Sequence, residues 1–202
     1  CVDDKPINVA FSSTAYGPFQ SPVIDETHPL DPQGIYGSLK AAGEMMVRAH
    51  CETFHSNYVI IRPQALYGPR CVSGRVIQKF IEAALDGKML TVEGDGSALH
   101  DFTYITDLVQ GILRLVNNEA VVNEAINLTF GKARSLRDLV DCVRRSVDNT
   151  GACYGPPDPE KPSRGTMSID KARRLLGYEP EWTLERGIAD YAAWYGRFLG
   201  KE

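Results

Sequence analysis

Tyr36 and Lys40 stand four residues apart at the head of a strongly helical pattern. Four residues on a helix are about one turn, so the two side chains share a face. A free phenol is a poor base at neutral pH. An ammonium held at ~4 Å, at an effective dielectric of ~20, favours the phenolate by at most roughly 4 kcal/mol, and solvent reduces this. The pair is therefore a proton-transfer device suited to general acid–base catalysis near neutrality. The hydroxyl cluster Ser12-Ser13-Thr14 follows a strand-like run upstream, and Ser12 or Ser13 is placed to hydrogen-bond the same substrate oxygen. An isolated Tyr-x-x-x-Lys also arises by chance, as a surface cation beside a half-buried aromatic. The surrounding elements have to decide between the two meanings.

Those elements read as α/β. Ile7 to Phe11 is a short apolar, partly β-branched run, as a buried parallel strand requires, and it delivers polar residues at its C-terminal end. In open α/β sheets, ligands bind beyond that end. A loop rich in Pro, Asp and Gly leads to a helix from Ile35 to about Phe54, with Leu39, Ala42, Met46 and Val47 as the expected apolar stripe. Tyr58 to Arg62 is a second buried strand, stopped by Pro63, and Leu66-Tyr67-Gly68-Pro69 turns the chain. Strand–helix–strand order predicts a doubly wound parallel sheet. Helices follow at Val76–Leu85, Ile105–Asn117, Ser135–Val147 (Ser135 as N-cap), Asp170–Leu176 (Gly177 as C-cap) and Leu184–Leu199. Short strands are expected at Met89–Val92 and Ala125–Leu128, with a proline-rich link from Gly155 to Pro162. Asp107 suits the positive end of its helix.

The 202 residues are 43% hydrophobic and 24% charged, ordinary for a globular protein of one large or two small domains. A net charge of −4 argues against a general nucleic-acid or membrane-surface binder. No apolar run approaches the ~20 residues of a membrane span. Five scattered cysteines without Cys-x-x-Cys spacing point to reduced thiols in a cytoplasmic setting, and the four histidines show no paired metal-ligand spacing. The aromatics Tyr191, Trp194, Tyr195 and Phe198 recur at helical spacing and read as core packing. A chain opening at Cys1 almost directly on a core strand is expected to be the later part of something longer.

Taken in order, the motifs resemble the extended short-chain dehydrogenase/reductase family, its NAD-dependent epimerase/dehydratase group. They are Phe11-Ser12-Ser13-Thr14-Ala15-Tyr16-Gly17; Asp25-Glu26-Thr27-His28-Pro29; Tyr36-Gly37-Ser38-Leu39-Lys40 with Glu44; Arg62-Pro63 with Leu66-Tyr67-Gly68-Pro69; Gly94-Asp95-Gly96; Asp101-Phe102-Thr103-Tyr104-Ile105-Thr106-Asp107; and Leu176-Gly177-Tyr178-Glu179-Pro180. The resemblance covers nearly the whole chain. It implies that Ser12, Tyr36 and Lys40 are catalytic, Lys40 favouring the phenolate and bonding the nicotinamide ribose. It places Ser13, Tyr36, Lys40 and Pro63 at the cofactor, NAD or alternatively NADP, and Thr14 on the substrate side. It also implies a homodimer paired through the helix of Tyr36 and Lys40, and hydride transfer as the cofactor's chemistry.

The family's glycine-rich dinucleotide fingerprint has no counterpart in these residues. The expectation is thus an N-terminally truncated chain that alone binds the dinucleotide weakly. The fold expected is the C-terminal half of a Rossmann-type doubly wound parallel sheet plus a small α/β substrate domain. Residues 1–67 and 102–130 would form the former, 68–101 and 131–202 the latter. Many nucleotide-sugar members carry Asn where this chain has Ala65 and Arg where it has His100, at positions that contact the substrate diphosphate. Arg75 and Arg164, with Lys79 and Lys88, are candidates to compensate, so the substrate-side set is Thr14, Ala65, Arg75, His100 and Arg164. The function implied is a nucleotide-sugar epimerase/dehydratase coupling proton transfer at Tyr36 to hydride transfer. The alternatives are an NAD(P)H-dependent ketone or aldehyde reductase on the same fold and a non-catalytic fragment.

Overall fold

The structure, a computed structural model, describes residues 7–10 (backbone only), 12–71, 74–148, 150–158 and 162–200. Cys1, Phe11 and positions 159–161 of the expected link lie outside the described residues. Among the described residues, eleven strands and six α-helices follow one another: β1 (Ile7–Ala10), β2 (Val23–Ile24), α1 (Gly34–Phe54), β3 (Tyr58–Arg62), β4 (Leu66–Tyr67), α2 (Val76–Leu85), β5 (Leu90–Val92), β6 (Leu99–His100), β7 (Thr103–Tyr104), α3 (Ile105–Val116), β8 (Glu124–Asn127), β9 (Arg134–Ser135), α4 (Leu136–Ser146), β10 (Ala152–Tyr154), β11 (Thr166–Met167), α5 (Asp170–Leu176) and α6 (Leu184–Leu199).

The central sheet is parallel, in the order β1-β3-β8, with Ala10 opposite Ile61 and Arg62 opposite Asn127. Val59, Ile60, Ile61 and Ile126 are buried, as a parallel sheet covered on both faces demands. Around them, Leu108, Leu115, Leu128, Ile169, Ala172, Leu176 and Tyr178 form one apolar cluster, so α3 and α5 both pack on this sheet. A larger cluster joins α2, α4 and α6 with β5 and β7, including Phe80, Leu90, Leu139, Ile188, Tyr191 and Tyr195. Ser135 caps α4 in a full capping box with Asp138, and Gly177 ends α5 in the left-handed region.

Two expectations need correction. First, α1 buries the opposite face from the stripe read in the sequence. Its inner residues are Gly37, Ala41, Glu44 and Cys51, whereas Leu39 is 66% exposed, Met46 is 72% exposed and Ala42 faces out; of the expected stripe Val47 alone is partly buried. Small residues let the helix approach its neighbours closely, and Glu44 has an internal partner, so hydrophobicity alone chose the wrong side. Second, Leu66-Tyr67 is not only a turn but a short strand, parallel to Thr103-Tyr104. Asp107 lies in the first turn of α3, as expected, and its carboxylate also accepts the amides of Glu181 and Trp182 at 3.0 Å each, holding the approach to α6.

Candidate active site

β1 and β3 lie side by side, so the segments leaving their C-terminal ends meet. Ser13 N donates to Pro63 O at 3.1 Å. From Ser13 to Tyr16 the chain makes one 3-10 turn, capped by Ser12, whose Oγ accepts Thr14 N at 3.3 Å. With that lone pair taken, the Ser12 hydroxyl proton remains a donor. Gly17 closes the turn at φ +67°, where a Cβ would overlap the carbonyl of Asp31.

Helix α1 packs against this turn through Gly37. A Cβ there would sit 3.0 Å from Thr14 O and 3.3 Å from Pro32 Cβ, so the absent side chain is what lets the helix come so near. Tyr36, the preceding residue, is thereby carried to the turn of Ser12. Its ring is 54% exposed, and Lys40 Nζ lies 5.4 Å from the ring centroid. The phenol is open to a substrate, and the ammonium is a cation–π neighbour one helical turn along. Thr14 Oγ1 is buried with no hydrogen-bond partner among the described residues.

Beneath the pair lies a buried polar network whose role the sequence did not disclose. Arg62, at the end of β3, is 3% exposed and Glu44, on α1, is 0% exposed. Arg62 Nε and Nη2 donate to the two Glu44 carboxylate oxygens at 2.9 and 2.6 Å, a bidentate pair. Arg62 Nη1 donates to Tyr16 Oη at 2.8 Å, and Tyr16 Oη donates to Asn127 Oδ1 at 2.8 Å. Asn127 in turn donates its amide to Glu26 and its side-chain nitrogen to Ser168 O. Burial pushes the Tyr16 phenol up to about 12, against the pull of Arg62. Burial opposes the charge on Arg62, but its bonds to Glu44 and its closeness to Tyr16 outweigh this and raise its pKa. One network thus ties α1, the strand end and the serine turn together. The signals were Arg62 closing an apolar strand and Glu44 four residues after Lys40.

Asp101 is a second hub. It is fully buried and accepts Thr129 Oγ1, Gly131 N and Met167 N at 3.1, 3.1 and 3.2 Å, while its own amide donates to Gln64 Oε1 at 2.6 Å. Burial pushes its carboxyl up to about 6 against those donors.

The substrate-side candidates are not all brought together. Arg75 lines a cavity of about 240 Å³ with Leu66, Pro69, Arg70, Cys71 and Ile105. Ala65 adjoins that stretch and holds φ +43°, a left-handed conformation that suits Gly or Asn better than Ala. His100 lies in β6, its ring 5.5 Å from that of Phe102. Arg164 is elsewhere: its Nη1 donates to Ser13 O and Gly17 O at 3.1 and 2.9 Å. Arg164 and His100 are outside the cavity that holds Arg75.

The sequence model described as "NAD dependent epimerase/dehydratase family" matches residues 3–129, well over half the chain. The chain belongs to this family. An uncharacterized UDP-glucose epimerase of Bacillus subtilis is 30% identical over 186 residues, 92% of this chain and 58% of the relative. UDP-glucuronic acid decarboxylase 1 of Xenopus tropicalis is 31% identical over 188 residues, 89% of this chain and 44% of its own length. UDP-glucuronic acid 4-epimerase of Bacillus cereus, solved with UDP-glucuronic acid and NAD, superimposes with a TM-score of 0.89 at 27% identity, covering 95% of this chain and 61% of that one. UDP-glucose 4-epimerase of Thermotoga maritima, solved with UDP-glucose, gives 0.88 at 25% identity, over 96% and 64%. This epimerase/dehydratase chain therefore spans between 44% and 64% of the length of these relatives, and it shares their Rossmann-type α/β fold.

Proposed function

We propose that this chain carries the acid–base half of an NAD-dependent enzyme that epimerises or dehydrates a nucleotide sugar. The observation behind this reading is the half-exposed Tyr36 ring with Lys40 Nζ at 5.4 Å, at the end of a helix packed on the Ser12 turn. Tyr36 Oη takes the proton of a sugar hydroxyl and later returns it. Lys40, one helical turn along, keeps its ammonium beside the ring through those steps. Ser12, its Oγ already accepting Thr14 N, donates its own proton to the same substrate oxygen and holds it in line. Thr14 Oγ1, buried without a partner among the described residues, supplies a further contact on the substrate side. Ser13 and Pro63, joined where β1 and β3 end, together with Tyr36 and Lys40 on the helix packed against that turn, are the residues for the nicotinamide-ribose portion of NAD. When bound, NAD supplies the hydride acceptor and donor. Arg75, at the rim of the cavity, is the cation for the sugar's diphosphate.

Ala65 and His100, which lack the amide and guanidinium common in nucleotide-sugar members, favour a second reading, a ketone or aldehyde reductase. Net consumption of NAD(P)H separates it from epimerisation, which leaves the cofactor's redox state unchanged. The exposed stripe Ile35, Leu39 and Met46 supports pairing of α1 with a second copy, and the unbridged thiols of Cys51, Cys142 and Cys153 support a reducing, cytoplasmic setting.

The test is Tyr36→Phe, assayed with UDP-glucose and UDP-glucuronic acid. Turnover should fall by roughly 10²–10⁴-fold, the worth of a positioned acid–base group, with nucleotide affinity retained. Undiminished turnover would reject the assignment.

A further inference from the structure

Of Arg75, His100 and Arg164, the fold carries Arg164 to the serine turn, and its surroundings differ from those of a phosphate ligand. A phosphate engages a guanidinium through two parallel donors of its fork. Here a single nitrogen, Nη1, bridges two backbone carbonyls, those of Ser13 and Gly17, near the two ends of the turn. The guanidinium also stands over the Phe19 ring, 5.3 Å from its centroid. Burial lowers its pKa to about 10, so it remains a cation at neutral pH.

The segment around it is fastened to the same part of the chain. Phe19 N donates to Ser163 O at 3.0 Å, Thr166 N to Pro22 O at 2.9 Å and Ser168 N to Ile24 O at 2.7 Å. β11 pairs in parallel with β2, Thr166 opposite Val23 and Met167 opposite Ile24. At Gly165, a Cβ would overlap the carbonyl of Pro22, so the two segments run in direct backbone contact. Residues 163–168 thus form a strap along 19–24, and Arg164 extends the strap by one reach onto the turn itself.

We propose that Arg164 is a positioning residue, which clamps the Ser12–Gly17 turn to the β11 segment and so fixes the Ser12 hydroxyl relative to Tyr36. The proposal rests on the Ser12–Tyr36 reading above. Its consequence is that loosening the clamp degrades the geometry of the reaction without weakening the grip on the nucleotide.

The experiment compares Arg164→Met and Arg164→Lys with the unaltered protein and with Tyr36→Phe. It reads kcat and KM for the nucleotide sugar, UDP binding by calorimetry, and hydrogen exchange at the amides of Ala15 and Gly17, which close the turn onto Ser12 O and Thr14 O. Arg164→Met should lower kcat by about 10²-fold, the usual result of ~1 Å of misplacement. KM and the UDP affinity should stay within about twofold, and the two amides should exchange at least about tenfold faster. Lys still donates to both carbonyls, so Arg164→Lys should recover most of the protection and the rate. A tenfold or larger loss of UDP affinity with kcat intact, on the order of 1.4 kcal/mol, would overturn the proposal in favour of a phosphate ligand. Unchanged exchange and unchanged kcat would overturn it too. If Arg164→Met does not fold, Arg164→Lys decides alone by the same criteria. If Tyr36→Phe keeps its turnover, the reaction assignment fails, and the exchange data still judge the clamp.

Discussion

The buried pair of Arg62 and Glu44 makes the sharpest prediction. Its members are 3% and 0% exposed and bonded at 2.9 and 2.6 Å, so each is the other's replacement for water. Removing one strands the other. Arg62→Met leaves the Glu44 carboxylate without its two donors and Tyr16 Oη without the Nη1 proton. Breaking such a pair costs about 3–5 kcal/mol, a large share of the ~5–15 kcal/mol that holds a domain together. With a urea slope of roughly 2 kcal/mol per molar, the midpoint should fall by about 2 M. Glu44→Gln should cost a similar amount, because the guanidinium then stays buried against a neutral amide. The double variant Glu44→Leu/Arg62→Met removes both charges and their desolvation, so it should lie within about 1–2 kcal/mol of the unaltered protein. Urea titrations followed by the fluorescence of Trp182 and Trp194 measure all four corners of the cycle. Single variants that each cost under ~1 kcal/mol, or costs that simply add, would refute the claim that this pair is a coupled anchor of α1.

Three further outcomes are expected. Gly37→Ala gains up to about 1 kcal/mol of helix propensity but forces a methyl to 3.0 Å from Thr14 O, so stability should hold while turnover drops by about 10²-fold; unimpaired turnover would show that close packing at Gly37 does not set the position of Tyr36. Ala65→Gly relieves the left-handed φ of +43° and should raise stability by about 1 kcal/mol, and a lower melting temperature would contradict the strain argument. Burial pushes the Asp101 carboxyl up to about 6 from its ordinary 3.8, so the folded form binds the extra proton. Its contribution to stability is therefore greatest below pH 3.8 and is lost as pH rises through 6, a change of about 3 kcal/mol at ~1.4 kcal/mol per unit. Asp101→Asn should remove that slope between pH 4 and 7, and denaturation curves of the two proteins with equal pH dependence would sink the assignment.

The sequence exposed the order of elements and the meeting of Tyr36 with Lys40, because both are local. Strands such as Tyr58–Arg62 announce themselves by an apolar β-branched run stopped by proline, and α4 by its Ser135 cap. Tyr36 and Lys40 needed only helical spacing to meet. What stayed hidden depends on residues far apart in the chain. Arg62 reaches Tyr16 across 46 positions and Arg164 reaches Ser13 across 151. No window of sequence reveals which distant carboxylate or carbonyl a guanidinium will find. The family's motif order gave Arg164 a place near the substrate, yet the distance from there to a specific pair of carbonyls is set by how β11 lies along β2.

Helix α1 shows why periodicity alone misjudged one face, and what that face is for. At about 100° per residue, Gly37, Ala41, Glu44 and Cys51 cluster on one side, while Ile35, Leu39, Ala42 and Met46 cluster almost opposite. The apolar stripe is outward because the inward side must do two things that large apolar residues prevent. It must let the backbone reach Thr14 O, and it must bring a carboxylate to Arg62. Tyr36 and Lys40 fall between the two faces. A tyrosine at the centre of the inner face would be sealed against the sheet, and one at the centre of the outer face would point away from Ser12. At this seam a phenol is carried with the helix that packs on the serine turn and stays open to solvent, so the misread stripe and the placement of Tyr36 follow from the same packing constraint.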